Sequence, residues 1–296
     1  MARKTRTHID LEALQDMEPW QWPPSAAKLF LEILTDSNAK ANDRLIAADL
    51  AGDLVVMNDP LCDALLEIAG NAAEPDQLRA TAAISFGPVL EQGDLFGFED
   101  PDDVPVTEET FERIQGTLHE LYSDRSVPVL VRRRALEASV RAQQDWHPEA
   151  VAQAYSSGDR DWMLTAVFAM RWVRGFDDLI LQALQSTDPE IHMEAVQAAG
   201  AQEVRAAEIH ILGLIRDAAT PKTLLLAAIE AVAGVAPSDA KRILGTLLDS
   251  DDEGIADAAE EAIASALAQE TSEDFDEEDE DDEDDEDDED GPAWVN

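Results

Sequence analysis

One mark governs what this 296-residue chain can fold into: two alanines three residues apart, at Ala48/Ala51, Ala80/Ala83, Ala135/Ala138, Ala166/Ala169, Ala195/Ala198, Ala228/Ala231 and Ala259/Ala262. The intervals are 32, 55, 31, 29, 33 and 31 residues, so a single step is out of register. Residues three apart share one face of a helix, and methyl side chains there let a second helix approach closely. The stretch from Phe176 to Val204 shows the unit in full. Leu179, Ile180, Ala183 and Leu184 recur at helical spacing, the pattern breaks at Ser186-Thr187-Asp188-Pro189, and Ile191, Ala195, Ala198 and Ala199 resume it. Asp188 is placed to cap the second helix, and Pro189 takes its first position, where a missing N–H costs nothing. Such a helical hairpin cannot bury both of its faces alone and must stack on copies of itself.

One helical turn before the first alanine stand Val131, Trp162, Ile191, Leu224 and Ile255 in the last five copies, while Arg44 and Asp76 hold that place in the first two. Strand signals are absent: β-branched and aromatic residues are sparse, and no Asn-Gly or Asp-Gly hairpin occurs. The expected class is all-α. Over roughly residues 23–269 these residues resemble the HEAT family of helical repeats, especially the HEAT-like repeats related to the phycobilin lyases. The resemblance implies a right-handed α-solenoid, an ARM/HEAT-like superhelix of about seven hairpins, and it implies scaffold work as the commonest occupation.

Two enzyme groups share such repeats. The HEAT-like deoxyhypusine hydroxylases hold iron through His-Glu dipeptides in successive repeats, and here only His119-Glu120 matches. The phycobilin lyases present a chromophore from a solenoid groove. That leaves a lyase-like enzyme or a ligand carrier with an aromatic pocket as the alternative function, its pocket in the fourth hairpin around Trp146, Tyr155, Trp162, Phe168, Trp172 and Phe176.

Charge narrows the partners. The net charge is −44, and between Glu273 and Asp290 every residue but Phe275 is acidic. Residues 1–272 still carry 48 acids against 21 bases, or −27. Phosphate binding rests on Lys and Arg, so nucleic acid and anionic membrane are excluded as expected partners, and a basic protein surface is favoured. The low lysine share, five against sixteen arginines, also suits a chain adapted to high salt. A single cysteine, Cys62, forbids an intramolecular disulfide and sits beside Leu61 and Leu65 as a core residue would. The first twelve residues lack the apolar core of a secretory signal, and no apolar run reaches the roughly 20 residues of a membrane helix. A cytoplasmic monomer is the expectation.

Three regions follow. Residues 1–22 are a terminal cap, with Trp20 and Trp22 covering the open end of the first hairpin. Residues 23–269 are the solenoid, interrupted by an insertion at 93–106 whose Phe96 and Phe98 are expected to fold back over Leu78, Ala82 and Phe86. Residues 270–296 are an acidic tail in which like charges oppose compaction, so it is expected to be disordered and to tune association.

Searches for chemistry find no phosphate loop, dinucleotide fingerprint, nucleophile elbow or zincin motif, and His8, His119, His147, His192 and His210 never pair at helical spacing. No catalytic, cofactor-binding or metal-binding residue is assigned. The sequence instead points to a protein-binding scaffold whose second helices line the concave side. Leu164, Phe168 and Trp172, four apart, form the sticky centre of that side, and Arg133, Arg134, Glu137, Arg141 and Met193 hold the equivalent or adjoining places. An aromatic anchor flanked by arginines is the usual make-up of an interface hot spot.

Overall fold

A computed structural model of the chain describes residues 11–100 and 103–281, and these are helix and turn with no strand among them. The chain divides into two compact units, one ending at Val173 and the other starting at Arg174. The first contains α1 (Leu11–Gln15), α2 (Ala26–Thr35), α3 (Ala41–Leu50), α4 (Asp59–Gly70), α5 (Asp76–Ile84), α6 (Gly87–Phe96), α7 (Glu108–Ser123), α8 (Val129–Ser139), α9 (His147–Ser156) and α10 (Arg160–Ala169). The second contains α11 (Asp177–Ala183), α12 (Pro189–Ala201), α13 (Glu208–Arg216), α14 (Lys222–Val235), α15 (Ala240–Leu244) and α16 (Glu253–Asp281). Pairing α2 with α3, α4 with α5, α7 with α8, α9 with α10, α11 with α12, α13 with α14 and α15 with α16 gives the seven hairpins that the alanine spacing predicts.

In the first unit the second helices stack in a row, α3 on α5, α5 on α8 and α8 on α10, while α2, α4 and α7 form the row behind them. In the second unit α12 packs on α14 and α14 on α16. The architecture is an all-α solenoid. Its small-residue seam is the alanine mark: all fourteen alanines are buried, none more than 4% exposed. A larger side chain at these places would force helices apart, and overpacking of that kind costs about 1–3 kcal/mol.

The hairpins turn in two ways. Four turns begin with an Asx residue, Asp36, Asn71, Asp124 or Asp217, whose side-chain oxygen accepts the N–H two residues on and whose carbonyl accepts the N–H three residues on. The fifth residue, Lys40, Pro75, Pro128 or Pro221, is extended and starts the second helix. This Asx turn satisfies N–H groups of the turn itself and so fixes the path between the two helices. Three shorter turns use Ser and Asp instead: Ser157, Ser186 and Ser250 accept the backbone N–H of Asp159, Asp188 and Asp252, whose carboxylates then cap α10, α12 and α16. The capping role expected of Asp188 and Pro189 is therefore found in place.

After three of the long turns an arginine follows the Asx residue by eight positions. Arg44, Arg79 and Arg132 each reach back to the carbonyl two residues before that Asx, on Leu34, Ala69 and Tyr122. Arg44 stands where later repeats have an apolar anchor, and the structure supplies the reason. Its guanidinium also forks onto Glu74, at 2.7 and 2.8 Å, from the turn of the next hairpin. That bond holds the Glu74 carboxyl below its ordinary range.

The insertion differs from expectation. Its first part completes the extra helix α6, and Phe98 packs edge to face on Phe111 of α7, at 5.1 Å, instead of over α5. Gly93 makes room, since a Cβ there would lie 2.5 Å from the Phe111 ring. Phe96 stays half exposed, and Val104 and Val106 anchor the returning chain. Of the two cap tryptophans, Trp22 packs on Phe30 and donates to the Leu14 carbonyl, whereas Trp20 is exposed. α16 carries helical backbone through Asp281, into the stretch expected to be disordered from 270, because extending an existing helix needs no new nucleus. The remainder of that tail, 282–296, and residues 1–10 of the cap lie outside the described residues.

Candidate functional site

Phe168 sits at the last turn of α10 and Trp172 just beyond it, with ring centroids 4.9 Å apart. Both are half buried, so part of each ring remains accessible to solvent. Two guanidinium groups bracket the pair: Arg141 lies 5.9 Å from the Phe168 ring and 5.0 Å from Trp172, and Arg171 lies 5.8 and 5.0 Å from the same rings. Cation–π contacts of this kind stiffen long side chains while leaving their charge at the surface. Gly87 at the start of α6 lets Arg141 through, because a Cβ there would meet the Arg141 Nε at 2.8 Å. Glu91 of the same helix then fixes the arginine with a bond of 3.0 Å to Nη1. Leu164, one turn earlier on α10, is half buried on the same stripe.

The sequence places Arg133, Arg134 and Glu137 on this surface, and the structure divides them. Arg133 and Glu137 are buried between α8 and α10. Arg133 Nε donates to Thr165 Oγ1 at 2.9 Å, Thr165 donates on to Glu137 Oε1 at 2.6 Å, and Arg133 Nη1 reaches Asp161 at 3.0 Å. Arg134, more exposed, bonds the second Glu137 oxygen. A carboxylate that accepts two hydrogen bonds and has the Arg133 guanidinium 3.9 Å away satisfies its charge within the helix contact. These residues therefore tie α8 to α10, the helix that carries Phe168. Met193 belongs to α12 in the second unit, where it is half buried. Arg171 was absent from the sequence-based set; its position beside Trp172, outside the four-residue stripe, was the available signal.

Two histidines that are 18 residues apart do meet. His192 of α12 and His210 of α13 approach to 2.8 Å between Nε2 atoms, through the pairing of two helices instead of spacing along one. Burial lowers the pKa of both, and His210 lowers that of His192 further. Among the described residues no group of three or more His, Cys, Asp or Glu side chains is placed to hold a metal ion.

No protein-family model matches the chain, and no curated protein matches it. Among solved structures it is similar to the YibA protein of Escherichia coli, with 18% identity over 86% of this chain and 85% of that one and a TM-score of 0.43. Human deoxyhypusine hydroxylase in complex with glycerol gives 13% identity, coverage of 87% and 88%, and a TM-score of 0.39. An engineered protein gives 17%, coverage of 83% and 98%, and 0.34.

Proposed function

We propose that the protein is a non-catalytic scaffold that binds another protein through the second-helix row of its first unit, with Phe168 and Trp172 as anchor. The observation that carries this reading is the half-buried aromatic pair with the Arg141 and Arg171 guanidinium groups over its rings. Rigid amphipathic rings lose little conformational freedom on binding, and the buried Arg133–Glu137–Thr165 bonds between α8 and α10 keep the helix that carries Phe168 from yielding. The excess of acid favours a partner with a basic face, approaching around an anchor that is itself apolar and cationic.

The test is affinity capture from the native cell with the wild-type chain and with Phe168→Ala/Trp172→Ala, followed by identification of the bound proteins. The expected result is one set of proteins lost selectively with the variant while its helical circular dichroism is unchanged. Equal capture by both chains overturns the assignment of the surface.

A further inference from the structure

The first unit has a second site, at the other ends of α8 and α10. A cavity of about 320 Å³ opens there, lined by Tyr122, Arg125, Arg132, Gln153, Ser157 and Trp162. Arg132 is held rigidly: its Nε donates to the Tyr122 carbonyl at 2.8 Å, and its guanidinium lies 5.7 Å from the Tyr122 ring and 5.3 Å from Trp162. Trp146 supports the Tyr122 ring by stacking on it at 5.1 Å. Among the described residues neither Arg132 nor Arg125 has an ion-pair partner, in a chain with 65 acidic and 21 basic residues. Asp124 and Glu149, whose charges act here, are engaged by the Ser126 N–H and by Gln153 Nε2.

One of the two sibling arginines shows what such a group can take; the other, Arg79, is buried on the Ala69 carbonyl, and Val127 stands at the carboxylate's place in the turn that follows it. Arg44 occupies the same place in the first hairpin, eight residues after its Asx, and reaches the equivalent carbonyl. Its two terminal nitrogens receive both oxygens of Glu74, the fourth residue of the next hairpin's turn. For Arg132 the next turn is the short form, Ser157-Gly158-Asp159, whose aspartate is turned to capping α10. The shortened turn has no residue at the place of Glu74, so Arg132 lines its cavity without a carboxylate from the next hairpin, whereas the cavity of about 250 Å³ beside Arg44 includes Glu74 in its wall.

From this internal template we infer that the Arg132 cavity binds a carboxylate side chain of a partner polypeptide, with Arg132 as the fork and Tyr122 and Trp162 as walls. A planar carboxylate matches the two parallel N–H bonds of a guanidinium edge. The acidic surface around it opposes polyanions, so the segment that fits carries one acidic residue among neutral or basic neighbours. This site is separate from the Phe168–Trp172 surface, and each stands without the other.

The test is a titration of the full chain with a hexapeptide, acetyl-Lys-Gly-Glu-Leu-Gly-Lys-amide, read by NMR at the Arg132 Nε and Trp162 Nε1 resonances. Versions with Gln or phosphoserine in place of Glu are the controls. The expected result is that both resonances shift with the Glu peptide, and that the Gln peptide binds roughly tenfold or more weakly, the range of a charge-assisted bidentate bond. Arg132→Lys, which keeps the charge and loses the fork, should weaken the Glu peptide about as much. Gln153→Glu, which leaves Arg132 intact and adds a carboxylate to the cavity wall, should compete with it. Equal binding of Glu and Gln peptides, full binding to Arg132→Lys, or much tighter binding of the phosphoserine peptide each overturns the carboxylate assignment. Binding of the Glu peptide to Phe168→Ala/Trp172→Ala is expected to be unchanged, so failure here and failure of the proposed scaffold surface are told apart.

Discussion

A methyl group on Gly234 would stand 2.0 Å from the carbonyl oxygen of Gly200, so α14 and α12 cross backbone against backbone. The contact is reciprocal, since a Cβ on Gly200 would meet the Cα of Ala231 at 2.7 Å. Neither obstacle is a flexible side-chain tip that could swing away. Gly234→Ala is expected to destabilise the chain by about 3 kcal/mol, the upper end of overpacking costs. Gly213→Ala on α13 meets nothing within 4 Å and is expected to stabilise by about 0.5–1 kcal/mol. Urea midpoints moving in opposite directions at unchanged slope would bear both out.

His147 is locked as a neutral ring. Its Nδ1 accepts the Gln144 N–H at 2.9 Å, so its Nε2–H faces Ser139 Oγ at 3.0 Å, and that hydroxyl donates to the Leu136 carbonyl. Burial first, and the charge of His119 second, push its pKa down to about 4. The fold thus favours the neutral form. Its contribution is complete above the unfolded value near 6.5 and is lost as pH falls from there toward about 4, a loss on the order of 3 kcal/mol. Urea midpoints taken between pH 7.5 and 4.5 should fall less steeply for His147→Asn than for wild type, although the variant starts lower. Parallel slopes would remove His147 from the acid response.

Cys62 is fully buried, its thiol touches Met57 Sδ at 3.3 Å, and burial followed by Asp59 and Asp63 raises its pKa to about 12. Roughly a thousandfold less thiolate forms than in an exposed cysteine of ordinary pKa, before any barrier to access. Iodoacetamide labelling at pH 8 is expected to be slower by at least that factor and to accelerate with urea as the first unit opens. Rapid labelling of the native protein would contradict the core placement.

The repeat architecture was legible because packing imposed it directly on sequence: a helix crossing needs small residues, and the alanine pairs at 48/51 through 259/262 are the buried seam itself. Capping was legible at Asp188 for the same local reason. What depended on the next hairpin was not. Arg44 looked like a poor match because its partner, Glu74, lies 30 residues away. Arg133 and Glu137 looked like surface charge until α10 covered them with Thr165 and Asp161. The pattern of an arginine eight residues after Asp36, Asn71 and Asp124 was present in the sequence. Only the turn geometry gives it a meaning, and only the short turn at Ser157 distinguishes Arg132 from Arg44.

The Arg133–Glu137 pair separates a structural lock from a binding surface by experiment. Glu137 is buried, accepts from Arg134 and Thr165 and lies 3.9 Å from Arg133, so removing it leaves the buried Arg133 guanidinium with the exposed Asp161 as its counter-charge. Glu137→Ala is expected to cost about 3 kcal/mol, the lower end for breaking a buried pair, because Asp161 still compensates in part. Arg133→Met/Glu137→Leu, which removes both charges and fills the space, should recover most of that loss, since a matched apolar pair avoids the desolvation of two ions. Thermal and urea unfolding of Glu137→Ala, of the component single variants Arg133→Met and Glu137→Leu, and of the double variant measure the coupling. A set of near-zero changes would return both residues to the surface role that their sequence positions suggested, whereas a large single loss with recovery in the double variant fixes them as a structural tie between α8 and α10.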